Sequence, residues 1–161
     1  MSENVYERLA NHLDNLPIPF PATESGVELK ILERWFTPDE AEIALAMTGL
    51  PESVSAIAER LQMTAGSLFP VLETMTSRGL IFRIAKGEQK FYNIVPLAEG
   101  MWEFHLNSST PEDLELLHEY LDVFMDKGWY GTKTIRFKPR KMVSQGFCRL
   151  VQVSIALVQK S

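Results

Sequence analysis

Eight side chains between positions 64 and 90 have the chemistry that a nucleic acid requires of a protein. Thr64, Ser67, Thr74, Ser77 and Arg78 fall in one stretch, and Arg83, Lys86 and Lys90 follow it closely. Cations neutralise phosphates and release counterions, while hydroxyls hydrogen-bond phosphate oxygens and base edges. One ingredient is missing. The commonest base-specific contact is an arginine or lysine on guanine, yet Glu73 is the only charged residue from 64 to 77 and is itself unfavourable beside phosphate. The competing use of the same side chains is structural, with the hydroxyls as helix caps and solvent-facing positions and the cations as a solvated rim.

Other chemistry is sparse. His12, His105 and His118 lie on different predicted helices without ligand-like spacing. Glu115 and His118 are three apart, as in some bundle metal sites, but a lone pair at this spacing is ordinarily a solvated helical pair, so no metal is expected. Cys148 is the single cysteine. It excludes an internal disulfide, fits a reducing compartment, and reads as a small buried hydrophobe. No GxSxG, P-loop or GxGxxG occurs, and the paired carboxylates Asp39-Glu40 and Glu112-Asp113 sit where helices start. Neither an enzymatic activity nor a cofactor is expected.

The elements that must position the eight residues are legible. Ser53 opens a short apolar-periodic stretch, SVSAIAERLQ, and Thr64 opens a second, TAGSLFPVLETMTSRGLI. The strands LIFRI and KFYNIV then close around a five-residue turn, AKGEQ, with Lys86 near its tip. Over residues 53–95 this is the order and size of a winged helix-turn-helix, whose second helix enters the major groove while the wing lies over the backbone. Ile57, Ala58 and Leu61 face the core from the first helix, and Leu68, Leu72 and Met75 do so from the second. Gly79 is placed to end that helix. Pro70 breaks a local rule, because a proline six positions inside a helix costs about 3 kcal/mol. Either the helix begins nearer Ser67, or its first turn is deformed and supported by packing.

The flanks read as helices. Val5, Leu9, Leu13 and Leu16 predict one over residues 3–16, ended by the proline-rich elbow 17–21, which should lie on a neighbouring surface. Val27, Ile31, Leu32 and Trp35 mark a second apolar face. Thr37-Pro38-Asp39-Glu40 and Thr110-Pro111-Glu112-Asp113 are cap-plus-proline starts. The first leads a helix to about Met47, the second a helix to Lys127, ended by Gly128. Between them, Pro96 to about Leu106 predicts a helix carrying Leu97, Met101, Trp102 and His105. Trp35, Phe36, Trp102, Phe104, Tyr120 and Phe124 build a core or a groove. From Thr132 the tail is first basic, then apolar with strand-like alternation between Val151 and Val158. The expected fold is mainly α with a small β-hairpin: an N-terminal helical extension (1–52) packing on the core, the winged unit (53–95), C-terminal helices (96–131) and the tail (132–161).

The 161 residues are 45% hydrophobic and 23% charged, ordinary for a globular protein, with a net charge of −5. That net value hides blocks. Residues 1–52 carry −7, 53–95 carry +2, 96–131 carry −7 and 132–161 carry +7. Only the winged unit and the tail can face an anion, and Lys133, Arg136, Lys138, Arg140 and Lys141 can as well pair with the acidic flanks. The N-terminus lacks the apolar core of a signal peptide, and no stretch supplies the roughly 20 apolar residues of a membrane span, so a cytoplasmic location without membrane contact is expected.

The segment AGSLFPVLETMTSRGLIFRI resembles the recognition helix and following strand of PadR-like transcriptional regulators through Gly66, Ser67, Leu68, Phe69, Pro70, Leu72, Gly79, Leu80 and Ile81. That resemblance implies that Pro70 is tolerated in this helix. More broadly, residues 1–135, with FPATESGVELKILERWFTPDEAEIAL, the winged unit and DVFMDKGWYGTKT, resemble the N-terminal winged-helix region of certain bacterial 4Fe-4S ferredoxin-type proteins. In that family a cysteine-rich cluster domain is expected to follow. Here only Cys148, in GFCRL, is present, and a [4Fe-4S] cluster takes four thiolates, so no cluster function carries over. Two readings of function result. One is a DNA-binding protein of transcription-regulator type, a homodimer with residues 64–78 in the groove and 83–90 on phosphate. The other is a winged-helix interaction module that does not read DNA and docks onto an iron–sulfur or other redox protein.

Overall fold

In chain order the elements are α1 (Val5–Asp14), α2 (Val27–Trp35), α3 (Pro38–Leu45), β1 (Glu52–Ser53), α4 (Val54–Arg60), α5 (Ala65–Ser77), β2 (Ile81–Lys86), β3 (Gln89–Ile94), a π-helical turn (Leu97–Met101), α6 (Trp102–His105) and α7 (Pro111–Val123). They come from a computed structural model that describes residues 4–105 and 108–125. The basic and apolar tail, Cys148 and the expected stop at Gly128 lie outside the described residues. The class is the expected one, mainly α with a small antiparallel sheet. From α3 to β3 the order is helix, strand, helix, helix, strand, strand.

Local chemistry explains most boundaries. The hydroxyls of Thr37, Ser53, Thr64 and Thr110 each accept the backbone N–H three residues on, so every expected cap is made. Asn4 adds a capping box with Glu7 that the sequence reading omitted. At the far end of α5, Leu80 N–H donates to the Met75 carbonyl and Gly79 N–H to that of Thr76, both at 3.0 Å. This is a Schellman stop, and Gly79 supplies its left-handed residue with φ +77°. The helix begins at Ala65, so the later start near Ser67 is not taken, and it runs through Pro70. Leu68, Leu72 and Met75 are fully buried. At roughly 1.5–3 kcal/mol each, their burial outweighs the proline. Gly66, whose carbonyl loses its helical partner, is exposed to solvent.

Three details correct the sequence reading. The sheet has a third strand: Glu52 and Ser53 pair with Tyr92 and Phe91, giving the order β1-β3-β2. Two residues are too few for any periodic signal. The wing turn has two residues rather than five, since Lys86 pairs with Gln89 and only Gly87-Glu88 remain. Gly87, at φ +60°, supplies the left-handed geometry that such a short loop needs. The helix expected from Pro96 starts instead as a wide turn, closed by Met101 N–H on the Pro96 carbonyl at 3.0 Å. It folds back so tightly that a Cβ on Gly100 would lie 2.9 Å from that of Val95.

One continuous core runs through extension, winged unit and C-terminal helices, from Leu9 and Leu13 through Ile31, Leu68 and Met101 to Leu117 and Phe124. Trp35, Phe36, Trp102, Tyr120 and Phe124 are buried in it, whereas Phe104 is 44% exposed. The proline elbow does lie on a neighbour. Phe20 is buried, its N–H donates to Asp14 at 2.8 Å, and its ring sits 5.1 Å from that of Tyr120 on α7.

Gly79 is doubly constrained, because an added Cβ would also meet the Phe104 Cβ at 2.6 Å. Gly79→Ala should lower unfolding free energy by about 3 kcal/mol, strain plus overlap, against about 1 kcal/mol for Gly26→Ala. Gly26 has φ +67° but open space around it. Urea denaturation measures both, and equal losses would disprove the close approach.

Candidate nucleic-acid interface

The wing sets the positions of the cations. On β2, Arg83 stands opposite Tyr92 of β3. Lys90 lies two residues before Tyr92 and shares its face of the sheet. All three point at α5 and meet Glu73. The Tyr92 hydroxyl donates to Glu73 Oε1 at 2.5 Å, and Arg83 Nη1 and Lys90 Nζ both donate to Oε2 at 2.8 Å. Lys90 Nζ also sits 5.0 Å from the centre of the Phe69 ring. Hydrogen bonds from Lys90 and Tyr92, helped by Arg83, pull the Glu73 pKa down to about 2. Burial, then the Glu73 carboxylate, pushes the Tyr92 phenol well above its usual range.

The hydroxyls expected to read DNA are turned toward their own helix. Thr64 caps Ser67 and donates to its Oγ at 2.9 Å, and Ser67 donates to the Thr64 carbonyl at 2.9 Å. Thr74 donates to the Pro70 carbonyl at 3.0 Å and Ser77 to that of Thr74 at 2.8 Å. Ser67, Pro70, Thr74 and Ser77 are exposed at helical spacing and form the outer face of α5. Met63 extends that face and Phe69 borders it, 41% and 39% exposed. It carries no charge.

Arg78 leaves that face altogether. Its Nη1 donates to Glu40 Oε1 at 2.5 Å and its Nη2 to the Trp35 carbonyl at 2.6 Å. Arg60, not singled out from sequence, forms a two-pronged pair with Glu52 at 2.7 and 2.8 Å. Of the five cations in residues 53–95, only Lys86 has no ion-pair partner among the described residues. The structure thus brings Arg83 and Lys90 together, but onto Glu73, and separates Arg78 from both. The alternation of Lys90 and Tyr92 could have signalled a shared face. Finding Glu73 also needed the hairpin register, which the five-residue turn misplaced.

A second polar assembly was missed. Glu40 takes the Thr37 amide on Oε2 at 2.9 Å while Oε1 holds Arg78. Asp113 does the same at α7: Oδ2 takes the Thr110 amide at 2.7 Å and Oδ1 accepts from Arg34 Nε, whose Nη2 reaches Thr110 Oγ1 at 2.9 Å. Between the two arginines lies an open cleft of about 630 Å³, bordered by His105, Ser108 and Ser109. The His105 ring stacks on Trp35 at 4.1 Å, and its Nδ1 donates to the Met101 carbonyl at 2.7 Å. Burial lowers its pKa, and Arg78 lowers it further. Among the described residues no three His, Cys, Asp or Glu side chains come together as a metal-holding group, and no helix is long and apolar enough to cross a membrane.

Compared with protein-family models, curated proteins and solved structures, the chain matches none. Its functional reading therefore rests on its own geometry.

Because the Glu73 carboxyl titrates near 2 in the fold against an ordinary 4.5, the unfolded chain binds its proton first as pH falls. The stability it contributes is complete above about pH 4.5 and lost on going down to about 2. Glu73→Gln should therefore flatten the fall of Tm across that window relative to wild type. Identical acid limbs in calorimetry would contradict the three-donor arrangement.

Proposed function

We propose that this chain is a winged-helix interaction module, whose α5 outer face docks a protein partner and which does not read duplex DNA. The observation that carries this reading is the capture of Arg83 and Lys90 by Glu73. Phosphate binding draws its affinity from free cations. To reach a phosphate, both side chains would have to leave a carboxylate that then faces the DNA as a like charge. At about 4 Å such a repulsion costs about 1–4 kcal/mol, depending on how much water remains. What α5 offers instead is an uncharged surface of Met63, Pro70 and Phe69 with internally bonded hydroxyls. Depletion of charge with exposed aromatic and Met side chains is the composition of a protein-contact core. The broader sequence resemblance makes an iron–sulfur or other redox protein the partner class to test first.

The second reading, a dimeric transcription regulator, is favoured by one observation: the order of elements from α3 to β3 matches modules that place the equivalent of α5 in the major groove. That is an analogy of fold, and function belongs to the site.

Titrating the full chain against random and genomic duplex DNA at about 50 and about 200 mM salt separates the two readings. Wild type should bind no tighter than roughly 10⁻⁴ M, the weak end of non-specific association. Glu73→Gln, which frees two cations, should bind more tightly and with a steeper salt dependence. Tight, salt-sensitive binding by wild type that is reduced by Arg83→Ala, Lys86→Ala and Lys90→Ala would establish the regulator instead.

A further inference from the structure

We propose that the cleft between α2, the end of α5 and the start of α7 binds a small organic anion, held by the guanidinium groups of Arg34 and Arg78. The inference does not rest on what α5 docks. Both arginines are fixed in advance, Arg34 by Asp113, Thr110 and, at 3.6 Å, Glu112, and Arg78 by Glu40 and the Trp35 carbonyl. A guanidinium carries five N–H donors, and these contacts leave some of them open. Among the described residues, Arg34 Nη1 and Arg78 Nε have no partner. Cations already held in place lose little freedom when a carboxylate or phosphate arrives, and the planar fork suits both.

The cleft lining contains both arginines and one carboxylate, Asp113; Glu40 and Glu112 meet the same guanidiniums from outside it, at 2.5 and 3.6 Å. The anion is therefore held by the open guanidinium N–H donors facing the cleft and not by a net positive charge. Ser108 and Ser109 hydroxyls, which now donate to the His105 carbonyl at 3.2 and 2.8 Å, can rotate toward a bound oxygen. His105 commits Nδ1–H to Met101, so Nε2 is left as an acceptor with no partner among the described residues, suited to a ligand hydroxyl. The half-exposed Phe104 ring borders the same space and offers apolar contact. At about 630 Å³ the cleft lies in the range of small-molecule sites. The Phe104 ring at its edge favours an anion that carries an organic body.

The test is an amide-resolved NMR titration of the full chain with phenyl phosphate, benzoate, inorganic phosphate and, as the uncharged control, phenol. Saturable shifts centred on Gly79, His105, Ser108 and Ser109 are expected for at least one aryl anion. Phenol and inorganic phosphate should bind at least about tenfold more weakly, a difference of about 1.4 kcal/mol. Saturation by phenyl phosphate alone identifies a phosphate ester, and by benzoate alone a carboxylate. Arg34→Lys and Arg78→Lys keep the charge but lose the fork, and each should weaken binding about tenfold. Should either variant fail to fold, the wild-type shift map decides. Phenol binding as well as the anions, shifts centred elsewhere, or no saturation would overturn the proposal.

Discussion

The carboxylate of Glu40 locks three elements at one point. One oxygen closes the capping box of α3, and the other holds Arg78, whose second nitrogen sits on the last-turn carbonyl of α2. The start of α3, the end of α2 and the end of α5 are thereby fixed together. Glu40 is 7% exposed, so desolvation works against its charge. The bonds from Thr37 and Arg78 overcome that and hold its carboxyl below the usual carboxylate range. Losing one partner of a fully buried pair costs about 3–5 kcal/mol. Here the arginine side chain is 41% exposed, and solvent screening reduces that figure substantially. The lock acts chiefly through geometry: it holds the end of α5 against α2 and α3 and sets which way Arg78 points.

The same device recurs at α7, where Asp113 caps with one oxygen and binds Arg34 with the other. The two starts, TPDE and TPED, thus do more than begin helices. Each offers an acid at the third helical position whose spare oxygen reaches an arginine distant in sequence. An acidic chain with few cations distributes them this way, and one of them, Arg78, is a cation that a DNA-reading α5 would have used.

What could be read from sequence was what is local. Thr37, Thr64 and Thr110 cap as their spacing says because the donor and acceptor are three residues apart. Gly79 ends α5 because only the left-handed region closes the two terminal bonds. The misses are non-local. β1 exists only because Tyr92 and Phe91 arrive opposite Glu52 and Ser53, which no window of sequence contains. The two-residue wing turn follows from pairing that extends to Lys86 and Gln89, whereas local composition made AKGEQ look like loop. Glu73 read as an obstacle to phosphate. Its role as acceptor for Arg83, Lys90 and Tyr92 appears once register and helix are combined.

That combination also explains why fold and chemistry point in different directions. β2 and β3 pack one face against α5, which buries Tyr92 and Ile81. Side chains at Arg83 and Lys90 share that face by the alternation of the strand, so they are directed at α5 before any ligand is present. Whether they remain available depends on what α5 places opposite them. With Ala or Ser at position 73 the wing would present two free cations beside a groove-sized helix. With Glu73 both cations are held on one carboxylate, which a third hydrogen bond from Tyr92 completes. A single carboxylate, one turn before the end of the helix, therefore decides whether the hairpin cations are free or held.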